Sequence, residues 1–218
     1  YAYVTLQENN AVAKVNLATN KIKKIFSLGT VDYSTQLVDL SDKDGGFKPL
    51  LGQAYEGLRM PDGIVAYRVK GNDYFITANE GDGREYGDYT DEARGSGNAN
   101  RVKRLTDDAN VGTDLTTTFG SRSITIFDGD AAATVLWESG NTLQTIAFAA
   151  GVYDDGRSDD KGVEPEGVVV AKVDGRSYAI VSLERGISSM LAVFDVTDPT
   201  AGQFVTSTVI PGSISPEG

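Results

Sequence analysis

Four carboxylates recur at one interval. Asp62 and Glu166 each sit inside a Pro-acid-Gly triplet, and Glu80 and Glu184 follow them at the same spacing. Asp82, Asp159 and Asp160 lie in polar, Gly-containing stretches beside these positions. Carboxylates brought together repel one another unless a cation compensates them. The sequence has no His and no Cys. That excludes imidazole and thiolate ligands, the Ser-His-Asp and Cys-His arrangements, and the usual general base. A metal held here must be a hard cation with oxygen ligands, and carboxylates plus Gly-loop carbonyls suit Ca2+. The stretch 154–162 does not fit the EF-hand spacing. The alternative role of these acids is to cap N–H groups at strand ends and otherwise face solvent. Arg84, Arg157 and Arg185 fall in or beside the same loops. Next to a bound cation they would hold a phosphate or carboxylate; otherwise they neutralise the acids.

The spacing of the acids comes from a duplicated hairpin. Residues 61–80, PDGIVAYRVKGNDYFITANE, align without a gap with 165–184, PEGVVVAKVDGRSYAIVSLE. Val168–Val173 and Tyr178–Val181 read as strands, and Asp174-Gly175 is a dipeptide favoured by a two-residue type I′ turn. Pro216-Glu217-Gly218 begins a third copy. The clean unit, 165–211, predicts strands near 167–173, 177–183, 190–196 and 204–210. The earlier unit, 61–139, predicts its third strand over Ser123–Asp128 and its fourth over Thr134–Glu138, after a long insert at 81–120 with a short helix around Arg101–Leu105. Phe127-Asp128 matches Phe194-Asp195, and both Asp residues read as turn formers after a strand. Residues 1–29 give three short strands with Asn9-Asn10 and Thr19-Asn20 at the turns. They resemble the last three strands of a unit that lacks its first. Segments 30–60 and 140–164 read as irregular.

Four short antiparallel strands per repeated unit predict an all-β chain, and about three blades of a partial β-propeller with long loops on one face. A β-sandwich is the alternative, but it has no reason to repeat one hairpin with the same flanking triplet. Propellers close with four to eight blades. The remaining blades are therefore expected from further sequence of the same protein or from a self-associating copy. The abrupt start at Tyr1 reads as a fragment of a longer chain. In a blade the first strand lines the channel, so Asp62, Glu166 and Glu217 are expected at its mouth. Glu8, Glu80 and Glu184, at second-strand ends, belong on the same face, where segments 30–60, 81–120 and 140–164 also open. Insertions gathered on one face of a repeat protein usually mark a binding face.

The formal net charge is −11. It argues against nucleic acid and anionic membrane, which need a positive footprint, and no apolar run is long enough for membrane insertion. Several runs carry a further resemblance: Asn79-Glu80-Gly81-Asp82-Gly83-Arg84-Glu85, Gly120-Ser121-Arg122-Ser123, Asp155 through Gly167, Leu183-Glu184-Arg185 and Phe194 through Pro199. They resemble the choice-of-anchor I family, a bacterial extracellular propeller-like family that is also similar to mesenchyme-specific cell-surface glycoproteins of biomineralising animals. The resemblance covers nearly the whole chain, and the run from Arg157-Ser158-Asp159-Asp160-Lys161-Gly162 to Glu164-Pro165-Glu166-Gly167 is its most specific part. It implies a secreted, periplasmic or cell-surface protein. Family members are often labelled alkaline-phosphatase-like, with no catalytic residue set to carry over. Two functions follow as expectations. One is a Ca2+-stabilised binding or scaffold module with an extracellular ligand. The other is a metal-dependent phosphoesterase using carboxylate-held cations.

Overall fold

The structure is a computed structural model, and it describes residues 1–95, 101–106, 116–129 and 133–212. The chain opens with β1 (Ala2–Leu6), β2 (Ala11–Asn16) and β3 (Lys21–Ser27). They form a three-stranded antiparallel sheet in the order β1-β2-β3. Both expected turns carry an Asn with positive φ, Asn10 at 46° and Asn20 at 53°, where Asn is tolerated. After β4 (Thr30–Asp32) and β5 (Glu56–Leu58) comes the first copy of the repeated hairpin, β6 (Ile64–Val69) and β7 (Asn72–Ala78). The segment beyond it contains β8 (Glu85–Tyr86), β9 (Tyr89–Thr90), β10 (Glu92–Arg94), β11 (Lys103–Leu105) and β12 (Thr117–Thr118). Next come β13 (Ile124–Asp128), β14 (Val135–Glu138) and the helix α1 (Thr142–Ala149). The second copy is β15 (Pro165–Val173) and β16 (Arg176–Leu183), continued by β17 (Met190–Asp195) and β18 (Gln203–Val209). The described chain is therefore all-β apart from one α-helix and short 3-10 turns.

The two copies fold alike. Each forms a four-stranded antiparallel meander, β6-β7-β13-β14 and β15-β16-β17-β18. Val65 pairs with Ile76 in one, and Val169 with Ile180 in the other, so the aligned residues hold equivalent register positions. Both hairpin turns place two residues at positive φ: Lys70-Gly71 at 49° and 89°, Asp174-Gly175 at 49° and 80°. That is the requirement of a type I′ turn. Asp195 makes turn chemistry as expected, accepting from the Thr197 amide at 2.9 Å.

The sheets stack face to face. Strands β7 and β13 are buried on both faces. Phe75 and Phe127 turn one way, towards Val12 and Phe26 of the first sheet. Ile76, Ile124 and Ile126 turn the other way, into a core with Ala179, Val181, Ala192 and Phe194. Phe75 and Phe127 stack at 4.9 Å, and Trp137 meets Phe194 edge-on at 5.9 Å. A side chain at Gly202 would place its Cβ 2.8 Å from the Trp137 ring, so this glycine makes room for the indole. The described sheets do not close into a ring or barrel.

Three expectations fail for local reasons. The short helix expected around Arg101–Leu105 is instead strand β11, paired with β10 and β12. Val102 and Leu105 are buried, while Lys103 and Arg104 stay partly exposed. Segments 30–60 and 81–120 are not wholly irregular. They combine into a five-stranded sheet, β10-β11-β12-β5-β4, in which β12 runs parallel to β5. Its strands have two or three residues, too few to display a period of two. Segment 140–164 contains α1, which buries Leu143 and Ala147 one turn apart. The triplet at 216–218 lies outside the described residues.

Candidate functional site

Close backbone approach brings the carboxylate-bearing ends together. A Cβ built on Gly63 would lie 2.3 Å from the Glu166 carbonyl oxygen. The two Pro-acid-Gly triplets therefore touch, and glycine is required for contact rather than for φ. The residue before each proline has positive φ, Met60 at 43° and Glu164 at 45°, which is uncommon for non-glycine residues. Their carbonyls accept from the amides of Gly81 and Glu184, each at 3.0 Å. Gly81 in turn abuts Gly120, whose own Cβ would lie 2.0 Å from the Glu80 carbonyl oxygen. These contacts pin the backbone on which Glu80, Glu164 and Glu184 stand.

One carboxylate oxygen from each of Glu80, Glu164 and Glu184 lies within 4.8 Å of the others. Between them reaches Lys161. Its Nζ lies 3.2 Å from Glu164 Oε2, 3.3 Å from Glu80 Oε1 and 3.4 Å from Asp82 Oδ1. Glu164 has no exposed side-chain surface. Arg157 Nε donates to its Oε1 at 3.0 Å, and Arg185 Nε stands 3.6 Å from its Oε2. Arg185 Nη2 also reaches Glu184 at 3.4 Å, and Gln7 donates to Glu80 at 2.7 Å. Burial raises the pKa of Glu80, with the Glu164 charge adding to it and Lys161 and Gln7 opposing it. Glu184 is raised by burial, and further by Glu164 and Glu166, against Arg185 and Lys161. Burial works against the Lys161 charge, but Glu164, Glu80 and Asp82 outweigh it and raise its pKa. The ammonium is held charged, as a tethered cation among the acids.

The other expected site residues stand around this cluster or away from it. Asp82 is half exposed and touches Lys161. Asp62 and Glu166 are exposed at the two triplets. Partial desolvation and the Asp82 charge raise the Asp62 pKa. Asp159 and Asp160 turn towards β10 and β11 instead. Asp159 pairs with Arg94 and lies 3.5 Å from Arg101. Asp160 meets Lys103 at 3.1 Å, Arg94 at 3.2 Å and Arg157 at 3.3 Å. Desolvation opposes the Asp160 charge, but Lys103 and Arg157 outweigh it and lower its pKa. Arg84 is occupied by Asp91, with Nε–Oδ2 at 2.7 Å, and Glu8 accepts from Tyr86. The expected loop 154–162 thus splits: Arg157 and Lys161 serve the glutamates, and Asp159 and Asp160 bind the neighbouring sheet.

The family model of the choice-of-anchor I domain matches residues 1–109 and 98–199. The chain belongs to the choice-of-anchor I family. No curated protein matches it. For a choice-of-anchor I domain the setting is the bacterial cell surface or the extracellular space. Among the described residues, no helix is long and apolar enough to cross a membrane.

Sequence reasoning missed three residues of this candidate site. Glu164 was overlooked because its copy in the earlier repeat is Met60, so the repeat did not flag it. Lys161 has no counterpart in the earlier repeat, where the aligned residue is Gly57. The Lys161–Glu164 spacing, with both residues inside the most family-like run, was the available signal. Arg122 is the third. It is 1% exposed and holds a positive φ of 59°. Its guanidinium donates to the Asp39 carbonyl and, at 2.8 Å, to the Asp160 carbonyl. A buried arginine in a sparsely populated backbone region costs roughly 1–3 kcal/mol in strain. Here it fixes the loop that carries Lys161.

Proposed function

We propose that this chain is a non-catalytic binding or scaffold domain of a bacterial surface protein, built as an arc of a β-propeller. The observation that carries this reading is the pairing at the converged strand ends. Arg84, Arg157 and Arg185, and the Lys161 ammonium, each already face a carboxylate. A phosphoesterase needs a cation with open coordination and a positive group left over for phosphate, and this arrangement commits its positive groups to internal acids. The propeller reading is supported by the repeated meanders, their face-to-face stacking and the contact of the two triplets at Gly63 and Glu166. In this reading residues 1–218 belong to one propeller domain. A further sheet, from the same protein or a second copy, would cover Val169 and Val173, which are 58% and 54% exposed on the β15–β18 sheet. Sedimentation of the chain should then show self-association, and a clean monomer would count against a second copy. The enzymatic alternative is tested by hydrolysis of p-nitrophenyl phosphate with and without Ca2+. The expected result is no turnover. Hydrolysis that disappears in Glu164→Gln would overturn the non-catalytic reading.

Ca2+ stabilisation is a second reading, favoured by the three glutamate oxygens within 4.8 Å. Ca2+ and the Lys161 ammonium would compete for the same oxygens. Thermal unfolding with Ca2+ against chelator separates the readings. If the ion belongs in the native site, it raises the wild-type midpoint. If Lys161 does its work, Ca2+ raises the midpoint only in Lys161→Gln.

A further inference from the structure

At the turn ends of the two repeated hairpins, away from the glutamate cluster, a groove of about 810 Å³ separates the copies. That volume falls in the range of small-ligand sites, roughly 300–1,000 Å³. The repeat builds it: Arg68 and Lys172 hold aligned positions, Lys70 lies in the first type I′ turn, and Arg176 follows the second. Four cationic side chains therefore line one groove of a chain whose net charge is −11.

The acids in the groove are already used. Asp195 pairs with Arg176 and accepts from the Thr197 amide at 2.9 Å. Asp198 accepts from the Thr200 amide at 2.9 Å and from its hydroxyl at 2.8 Å. Arg68 is paired with Asp73 at 2.7 Å. Lys70 and Lys172 form no ion pair among the described residues, although Lys70 acts on Asp198 from a distance. One of these two ammoniums comes from each copy. A second observation concerns Tyr67, which is 8% exposed and whose buried hydroxyl has no hydrogen-bond partner. Its ring packs at 5.7 Å on Tyr74, which lines the groove, and the charge of Asp198 also reaches it. Tyr67 does not itself line the groove, so it bears on the site only through Tyr74, whose ring it backs.

We propose that the groove between the two hairpin turns binds an acidic saccharide, with Lys70 and Lys172 taking its carboxylates or sulfates from opposite sides. The volume exceeds what a single inorganic anion fills. Tyr74 offers an aromatic face for a sugar ring. The uncharged Asn72, Thr200 and Gln203 offer donors and acceptors for hydroxyls. Charge-assisted bonds to the two ammoniums give preference for the anion. The proposal does not depend on the glutamate cluster or on its occupant.

The test is calorimetric titration of the full chain with trigalacturonate, maltotriose and sodium sulfate at low ionic strength. Lys70→Gln/Lys172→Gln is the comparison protein. Both lysines are exposed, so the double variant should keep the wild-type unfolding midpoint. Trigalacturonate is expected to bind wild type at least about tenfold more tightly than the double variant, and to weaken as salt screens the charges. Maltotriose should bind at least about tenfold more weakly than trigalacturonate, because it lacks the carboxylates. Equal affinity in wild type and double variant would overturn the proposal. So would no detectable trigalacturonate binding, equal binding of maltotriose, or sulfate binding as tight as the saccharide's.

Discussion

Replacing Lys161 with Met tests whether a tethered ammonium holds the glutamate cluster together. The Lys161 side chain is 10% exposed and stands 3.2–3.4 Å from three carboxylates. At that separation and an effective dielectric constant near 20, each contact is worth about 5 kcal/mol gross. The Asp82 contact is discounted because that carboxylate is 52% exposed. Desolvation of the ammonium and mutual repulsion of the acids offset most of the rest. Removing one partner of a buried ionic group typically costs about 3–5 kcal/mol. Arg157 and Arg185 still face Glu164, so the lower end is expected, about 3 kcal/mol. Methionine preserves much of the side-chain volume, so lost packing contributes little. With an m-value near 3 kcal/mol per molar urea, the midpoint should fall by about 1 M. The sign with pH is fixed by the acids. Glu80 and Glu184 have folded pKa values above their ordinary 4.5. On those groups stability is present below the unfolded value and is lost as pH rises through the folded values. Without Lys161 those values rise further. The difference between the proteins should therefore be largest near pH 7 and shrink as pH drops into the ordinary carboxylate range. Lys161 itself has a raised folded pKa, so its contribution should disappear in wild type as pH climbs above that value. Equal urea midpoints at pH 7, or a difference that does not shrink on acidification, would refute this account.

Two further substitutions probe the joints between sheets. Arg59 and Glu138 form an ion pair at 2.8 Å with side chains only 7% and 9% exposed, and Arg59 also donates to the Leu28 carbonyl at 2.6 Å. Glu138→Ala should cost about 3–5 kcal/mol by leaving the guanidinium uncompensated, and a loss below 1 kcal/mol in urea unfolding would show the charge is otherwise satisfied. Gly63→Ala should destabilise more than Gly167→Ala, although the two glycines are aligned. The first new Cβ meets a backbone oxygen at 2.3 Å, and the second meets the Ser182 hydroxyl at 2.8 Å, which can rotate away. Comparable midpoints for the two variants would count against the contact between the triplets.

The fold was legible where the sequence repeats itself. The hairpin at 61–80 and its copy at 165–184 gave the turns, the register of Val65 and Val169, and the carboxylates at the ends of β7 and β16. It was illegible where strands are too short for alternation to register. The sheet assembled from β4, β5, β10, β11 and β12 draws its strands from distant parts of the chain, and one of its pairings is parallel. No local pattern announces such a pairing, because each strand is stabilised by partners rather than by its own period. The helix α1 was hidden for a related reason: it buries only Leu143, Gln144 and Ala147, while the apolar Phe148 stays exposed, so no clean helical stripe separates its faces.

The candidate site lies where the repeat departs from itself. Met60 and Glu164 occupy aligned positions with nearly the same φ, 43° and 45°. Met60 is packed with Leu58, Leu105 and Phe119 in a small apolar cluster. Glu164, on the same backbone, is buried among Lys161, Arg157 and Arg185. At the same offset, Lys161 falls on Gly57 and Arg185 on Gly81. Both glycines are close-approach positions, Gly57 against Tyr33 and Gly81 against Gly120, so neither could carry a long cation. At these three positions the earlier copy has backbone and hydrocarbon where the later copy has charge, while the glutamates ending β7 and β16 are common to both. A search for shared features finds the scaffold of each unit, since the fold demands the same backbone twice. Within the ionic cluster Glu80 and Glu184 are common to both copies, whereas Glu164 and Lys161 are differences between them that the repeat does not mark.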